Sequence, residues 1–286
     1  MTRGAIYIVT RDAVYLNLLR ASVEQLKRVM PHLPVTVFSE FPAEGSFDVV
    51  RIPPAPESDG FFDKARLIGE SPYEQTVFLD TDIYVVRPFD ELFSMLDRFD
   101  CAMTHEEYLD TDWDNRYPQP DIPSSFPEWN TGVIAYRRSP ATVSLFSKWQ
   151  ELYREFLSSH PGENALGDQP FLRVAAYFGE ARIATLSREY NCKFRGQGCL
   201  SGPVKLLHGH VKFQMKRSYM DGIAGLMNRS LKSRVYVGRS IYEQQVVGRL
   251  WSLRKPRKVA SFPEPLPLWR LRVRGLKELL QRKLAA

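Results

Sequence analysis

The first half of the chain alternates short apolar runs with stretches whose apolar residues recur every three or four positions. Ala5-Ile6-Tyr7-Ile8-Val9 is a continuous apolar run, as a parallel strand covered on both faces requires. Residues 13–30 place Val14, Leu18, Leu19, Val23, Leu26 and Met30 at helical spacing, and Pro31 and Pro34 stop that helix. Val35-Thr36-Val37-Phe38 predicts a second strand, and Val49-Val50-Arg51-Ile52 a third, closed by Pro53-Pro54. Residues 61–70 predict a short helix, and Thr76-Val77-Phe78-Leu79 a fourth strand that ends on Asp80. This rhythm predicts an α/β fold with a mostly parallel central sheet flanked by helices.

Further along, residues 106–127 form a polar, aromatic and proline-rich stretch without periodicity, of a length that suits a lid or binding loop. Asn130-Thr131-Gly132-Val133-Ile134-Ala135-Tyr136 predicts a strand entered through a polar turn. Ser139-Pro140 opens the longest helix, 139–158, and Asp168-Gln169-Pro170 opens another that runs to about Phe178. Ile183-Ala184-Thr185-Leu186 and Val204-Lys205-Leu206-Leu207 predict later strands, the second leading into His208-Gly209-His210. From 211 onward the pattern weakens into Arg- and Lys-rich helical stretches. The expected organisation is a body over 1–215 and a basic, mainly helical C-terminal extension over 216–286.

Composition is that of a folded chain, 44% hydrophobic and 25% charged over 286 residues. Met1-Thr2-Arg3-Gly4 leads into only five apolar residues, too few for the apolar region of a secretion signal. No run approaches the roughly 20 residues of a membrane span, so a cytoplasmic location is the expectation. Cys101, Cys192 and Cys199 make neither a disulfide framework nor a zinc-type spacing, which fits a reducing compartment. The net charge of +6 hides an asymmetry. Residues 1–180 carry 16 Lys/Arg against 28 Asp/Glu, and residues 181–286 carry 23 against 5. An acidic front argues against a nucleic-acid groove along the whole chain. The basic rear either neutralises the front within one fold or docks on an anionic surface. Its end, 265–286, mixes Trp269 and leucines with many cations, as interfacial helices do. Peripheral contact with the inner face of a membrane and packing on the body are both open.

In parallel sheets ligands bind beyond the carboxyl ends of the strands. Thr10-Arg11-Asp12, Ser39-Glu40 and Asp80-Thr81-Asp82 all fall on that edge. No glycine-rich phosphate loop follows the first strand, so a phosphate-bearing ligand needs another partner, and a cation is the obvious one. Asp80 and Asp82 place two carboxylates side by side after a wholly apolar strand, where their repulsion calls for a compensating Mg²⁺ or Mn²⁺. The bland alternative is two solvated loop carboxylates.

The segment from Thr76 through Asp80-Thr81-Asp82 to Val86, followed by Phe89-Asp90-Glu91-Leu92-Phe93, resembles the metal-binding region of GT-A fold glycosyltransferases. The likeness is nearest to the family-8 type, which includes glycogenin and bacterial lipopolysaccharide glycosyltransferases. Asn130-Thr131-Gly132-Val133, Gly167-Asp168-Gln169-Pro170 and His208-Gly209 match further motifs of that family in order, so the resemblance covers about residues 5–212.

The resemblance implies a GT-A fold and transfer of a hexose from a nucleotide-diphosphate sugar, UDP favoured, to a saccharide or glycolipid acceptor, with retention. It implies Mn²⁺ or Mg²⁺ held by Asp80, Asp82 and His208. It places Thr10 and Asp12 at the base, Lys64, Thr81, Gly209 and Lys212 at the donor, and Asn130 and Asp168 at the sugar hydroxyls. Gln169 falls near the anomeric carbon, and Asp168 and Gln169 are the catalytic candidates. The chain has Lys212-Phe213-Gln214 where the family continues Lys-Pro-Trp. Asp12 and Asp168 also suit helix N-capping, Lys64 a solvated helix face, and His208 an ordinary histidine. Two rival functions remain open. One is a haloacid-dehalogenase-like phosphatase using the Asp-x-Asp, and the other a non-catalytic, basic-tailed binding protein.

Overall fold

The computed structural model describes residues 1–54, 60–106, 122–160, 167–210, 214–230, 232–238, 240–243 and 257–261. The strands of its first part are β1 (Arg3–Val9), β2 (Val35–Ser39), β3 (Asp48–Arg51), β4 (Gln75–Leu79), β5 (Ile83–Val85), β6 (Cys101–His105), β7 (Trp129–Arg137) and β8 (Ile183–Leu186). All but β5 join one seven-stranded sheet in the order β3-β2-β1-β4-β7-β6-β8. Helices α1 (Tyr15–Val29), α2 (Phe61–Leu67), α3 (Glu91–Met95), α4 (Pro140–Ser159) and α5 (Gln169–Tyr177) accompany it.

The apolar runs are continuous because both faces of this sheet are covered. Ile6, Phe78 and Ile134 pack with Trp149, Tyr153 and Phe171 of α4 and α5. Their neighbours Ala5, Tyr7, Val77, Leu79 and Val133 pack with Leu19, Val23 and Leu26 of α1. Successive side chains of a strand point to opposite faces, so each strand must be apolar at every position. Each large side chain buried this way contributes about 1.5–3 kcal/mol. The start of α4 is fixed locally. Ser139 Oγ accepts from Thr142 N at 3.2 Å, Thr142 Oγ1 accepts from Ser139 N at 3.0 Å, and Pro140 takes the first helical position.

One strand direction decides where chemistry can occur. β1, β2, β3 and β4 run parallel, but β7 is antiparallel to β4, with Leu79 opposite Val133. The end of β4 therefore meets the beginning of β7. Strand β6, which the apolar pattern does not announce, pairs with β7 and β8. Its sequence Cys-Ala-Met-Thr-His has little intrinsic preference for a strand, and its two neighbours impose the extended form.

The rear holds both strands and a helix among its described residues. It contains strands β9 (Cys192–Lys193), β10 (Gln197–Leu200) and β11 (Leu206–His208), one helix α6 (Arg217–Met227), and strands β12 (Arg234–Val237), β13 (Ser240–Glu243) and β14 (Arg257–Ser261). β10, β12, β13 and β14 form an antiparallel sheet. In β12, buried Arg234 and Tyr236 alternate with Val235 and Val237, which are exposed. That inverted alternation hides the strand from a search for apolar faces. The tail 265–286, Lys212 and most of the loop 106–127 lie outside the described residues. Among those described, no helix is long and apolar enough to cross a membrane.

Candidate active site

The edge where β4 ends and β7 begins gathers the polar residues. Asp80 N donates to Gly132 O at 2.9 Å and Ile83 N to Asp80 O at 3.1 Å, so Asp80-Thr81-Asp82 is a tight turn between β4 and β5. β11 pairs antiparallel with β5 in a register that sets His208 opposite Ile83. Gly209 N, at a φ of +128° that suits glycine, donates to Asp82 O at 3.0 Å. The imidazole is thereby carried to the carboxylates. His208 Nε2 lies 3.4 Å from Asp82 Oδ1 and 4.0 Å from Asp80 Oδ2.

Asp80, Asp82 and His208 are the one such group of acidic, Cys or His residues among those described, their donor atoms all within 4.8 Å of one another. Neighbouring ligand atoms of a six-coordinate ion with bonds of about 2.1 Å stand ~3 Å apart. Spacings of up to 4.8 Å reach that geometry by contracting less than about 2 Å, and two carboxylates with one imidazole are a donor set for a divalent cation. The residues fit a metal. Gly132 makes the approach possible, since a Cβ there would stand 2.4 Å from His208 Cε1.

Lys64 is not a solvated helix lysine: it is 7% exposed. Its ammonium sits 3.1 Å from Asp80 Oδ1, 3.4 Å from Asp168 Oδ2 and 3.2 Å from Thr131 Oγ1. Burial alone would lower its pKa, but Asp168 and Asp80 outweigh burial and raise it. Asp168 occupies the position before α5 without capping it. Its carboxylate accepts from Thr131 Oγ1 at 3.0 Å instead and turns its other oxygen toward Lys64. Burial raises the Asp80 carboxyl, with Asp82 and Asp168 adding to the effect against Lys64 and His208. Burial likewise opposes charge on Asp82 and His208, but their mutual attraction wins, holding Asp82 below and His208 above its ordinary value.

A cavity of about 470 Å³ opens in front of this cluster. Asp80, Asp82, His208 and Lys64 line it, together with Thr10, Asp12, Thr81 and His210. Asp12 Oδ1 accepts from Val14 N at 2.8 Å and so shapes the turn before α1 rather than capping the helix. Arg11 takes φ +67°, and its N–H is held by Glu40 Oε2 at 2.9 Å, tying the ends of β1 and β2 together. Tyr15 at the mouth is 38% exposed.

Asn130 and Gln169 belong to a second layer of polar side chains. Asn130 Nδ2 donates to Glu106 Oε2 at 2.8 Å and to Gln169 Oε1 at 3.0 Å. Gln169 Nε2 donates to Glu128 Oε1 at 2.9 Å, and Lys193 Nζ to Glu106 Oε2 at 2.9 Å. Asn191, fully buried, accepts from His208 Nδ1 at 2.8 Å and donates to Asn130 Oδ1 at 2.7 Å. Glu106, Glu128, Asn191 and Lys193 are the residues that sequence reasoning missed. They occupy loops and a two-residue strand without periodicity. The one available signal was the density of polar residues flanking the Asn130 and Asp168 motifs.

No family model matches the chain, and no curated protein sequence does. The fold does have a counterpart in the crystal structure of the galactosyltransferase LgtC in complex with donor and acceptor sugar analogs. That similarity has a TM-score of 0.52 at 12% identity, and covers 77% of this chain and 95% of LgtC. The apo form of mouse xyloside xylosyltransferase 1 gives a TM-score of 0.49 at 16% identity, covering 75% of this chain and all of that one. At such identities the likeness is one of fold: the chain has the GT-A architecture.

Proposed function

We propose that this protein is a metal-dependent glycosyltransferase that moves a hexose from a nucleotide-diphosphate sugar, UDP-hexose favoured, to a saccharide or glycolipid acceptor with retention. The observation that carries this reading is the meeting of Asp80, Asp82 and His208 at the carboxyl edge of a GT-A sheet, on the wall of one cavity. The imidazole in the set favours Mn²⁺ over Mg²⁺. When bound, the cation supplies Lewis-acid stabilisation of charge on the departing diphosphate.

The chain's own groups divide the donor between them. Thr10 and the Asp12 carboxylate accept from the base, an imide N–H suiting uracil, and the Tyr15 ring at the mouth offers a stacking face. Lys64 orients Asp80 and Asp168 through its ammonium group. Thr81 and the Gly209 backbone line the approach of the diphosphate, and Lys212 is its further cationic partner. Asn130 and Asp168 hold sugar hydroxyls, and Gln169 stands by the anomeric carbon. The basic end, 265–286, brings the enzyme to the cytoplasmic face of a membrane that carries the acceptor.

The test incubates the purified chain with Mn²⁺ and a panel of nucleotide sugars, with and without chelator. Release of nucleoside diphosphate from one donor, lost with chelator and in Asp82→Ala, is the expected result. Activity indifferent to both changes overturns the reading. Hydrolysis of a plain phosphomonoester through an aspartyl-phosphate would instead identify the phosphatase. The same assay with anionic liposomes and a chain ending at residue 264 tests the tail. Unchanged liposome binding by that shorter chain removes the membrane role.

A further inference from the structure

The buried asparagine behind His208 sits in a chain of hydrogen bonds whose direction can be traced from one unambiguous donor. The backbone N–H of Gly132 lies 3.1 Å from Asn130 Oδ1. Turning the Asn130 amide over would set two donors against each other, so the oxygen faces Gly132. Asn191 meets that same oxygen at 2.7 Å and must present Nδ2 to it, since two carbonyl oxygens at that distance would repel. Asn191 Oδ1 is then the atom left for His208 Nδ1, at 2.8 Å. An oxygen acceptor there requires Nδ1 to carry the proton, which leaves the Nε2 lone pair aimed at Asp82 and Asp80.

With Oδ1 committed, Asn130 Nδ2 is the group that reaches Glu106 and Gln169. Gln169 therefore receives on Oε1 and turns Nε2 to Glu128. Asn191 is 0% exposed and Asn130 4%, so water does not compete for these bonds, and a reversed amide would leave buried groups unsatisfied.

We propose that Asn191 is a positioning residue: it locks His208 in the Nδ1–H tautomer and couples the ring to Asn130 and Gln169. The imidazole is thus presented as a ligand before any cation arrives. Its orientation is tied to Asn130 and Gln169, the two side chains that the proposed function sets at the sugar. The tautomer follows from the hydrogen bonds alone; its consequence for cation affinity rests on the metal-dependent reading above.

The experiment records long-range ¹H–¹⁵N correlations of the histidine rings in the metal-free full chain, at a pH above the titration of the His208 imidazole. His208 should show a protonated Nδ1 and a bare Nε2. A protonated Nε2, or an even mixture of tautomers, overturns the proposal without any variant being made. Asn191→Ala should mix the tautomers and weaken Mn²⁺ binding, read by the electron paramagnetic resonance of free Mn²⁺, by about 10–100-fold. Asn191→Asp retains an acceptor for Nδ1–H but loses the donor to Asn130. It should keep the wild-type tautomer while disturbing the Asn130 amide resonances. An Asn191→Ala chain with one tautomer and wild-type Mn²⁺ affinity also overturns the proposal. If the wild-type chain binds no Mn²⁺ yet shows the Nδ1–H form, the metal-dependent reading fails and the lock stands.

Discussion

Gly132→Ala isolates the contact on which the site depends. Gly132 lies within β7 and does not adopt a left-handed φ, so adding a methyl group would ordinarily stabilise the chain by about 0.4–1 kcal/mol through the unfolded state. Here that methyl would stand 2.4 Å from His208 Cε1, 2.8 Å from Nδ1 and 3.0 Å from Asn130 Oδ1. Ordinary contact begins at 3.4 Å, so the ring must retreat by about 1 Å. The ring is not a free end, because Asn191 holds its Nδ1 and β11 holds its backbone. Overpacking of this kind costs about 1–3 kcal/mol, which reverses the usual sign. A misplacement of 1 Å at a reacting site costs on the order of 10²-fold in rate. Thermal melts should therefore show a lower Tm for Gly132→Ala, with far-ultraviolet circular dichroism reporting an intact fold. Mn²⁺ titration should show weaker binding and donor turnover a kcat/KM about 10²-fold lower. A variant that melts higher and binds Mn²⁺ as the wild type does refutes the argument, because the ring then moves at no cost.

Two further outcomes concern buried charge. Lys64→Met leaves Asp80 and Asp168 without their cation; removing one partner of a buried ion pair costs about 3–5 kcal/mol, discounted here to ~2–4 because Asp80 is 27% exposed. Saturating Mn²⁺ should raise the Tm of this variant more than that of the wild type, since the ion takes over part of the compensation, and equal shifts would contradict this. Asp100 pins the rear edge of the sheet: burial would raise its carboxyl, but Arg182 N and Nε and the Arg137 guanidinium bring it from 3.8 down to about 2. A depressed carboxylate adds stability above its unfolded value and loses it as pH falls, so the contribution should disappear between about pH 4 and pH 2. The lowering is equivalent to about 2 kcal/mol, and screening at Arg182, 59% exposed, leaves ~1–2. Chemical denaturation of Asp100→Asn should show that deficit at neutral pH and little of it near pH 2, where the folded carboxyl is half protonated; a constant deficit would refute the assignment.

Much of the front half was legible because a sheet covered on both faces leaves continuous apolar runs. β1, β2, β4 and β7 appear within a residue or two of where those runs predict them. The Asp80-Thr81-Asp82 turn was legible for the same reason: polar residues that directly follow such a run stand at the sheet edge. Asn191 was not. A buried asparagine and a solvated one read alike in the short turn Arg188-Glu189-Tyr190-Asn191, and what separates them is enclosure by residues remote in sequence. Asp168 and Lys64 each had a bland local reading, and the structure sets those aside. Lys64 Nζ meets both Asp168 and Asp80, rather than water, and the Asp168 side chain caps no helix end.

The sequence by itself determined the layered α/β plan and the place of two carboxylates at a strand's end, because periodicity and punctuation are local properties. It also supplied, by resemblance, the histidine that belongs with them. The tertiary structure decided that His208 reaches those carboxylates, through the β5–β11 register and the missing Cβ at Gly132. It likewise decided that the β7 direction brings Asn130 and Thr131 to the same edge. Register and strand direction depend on pairings between distant segments, and no window along the chain contains both partners.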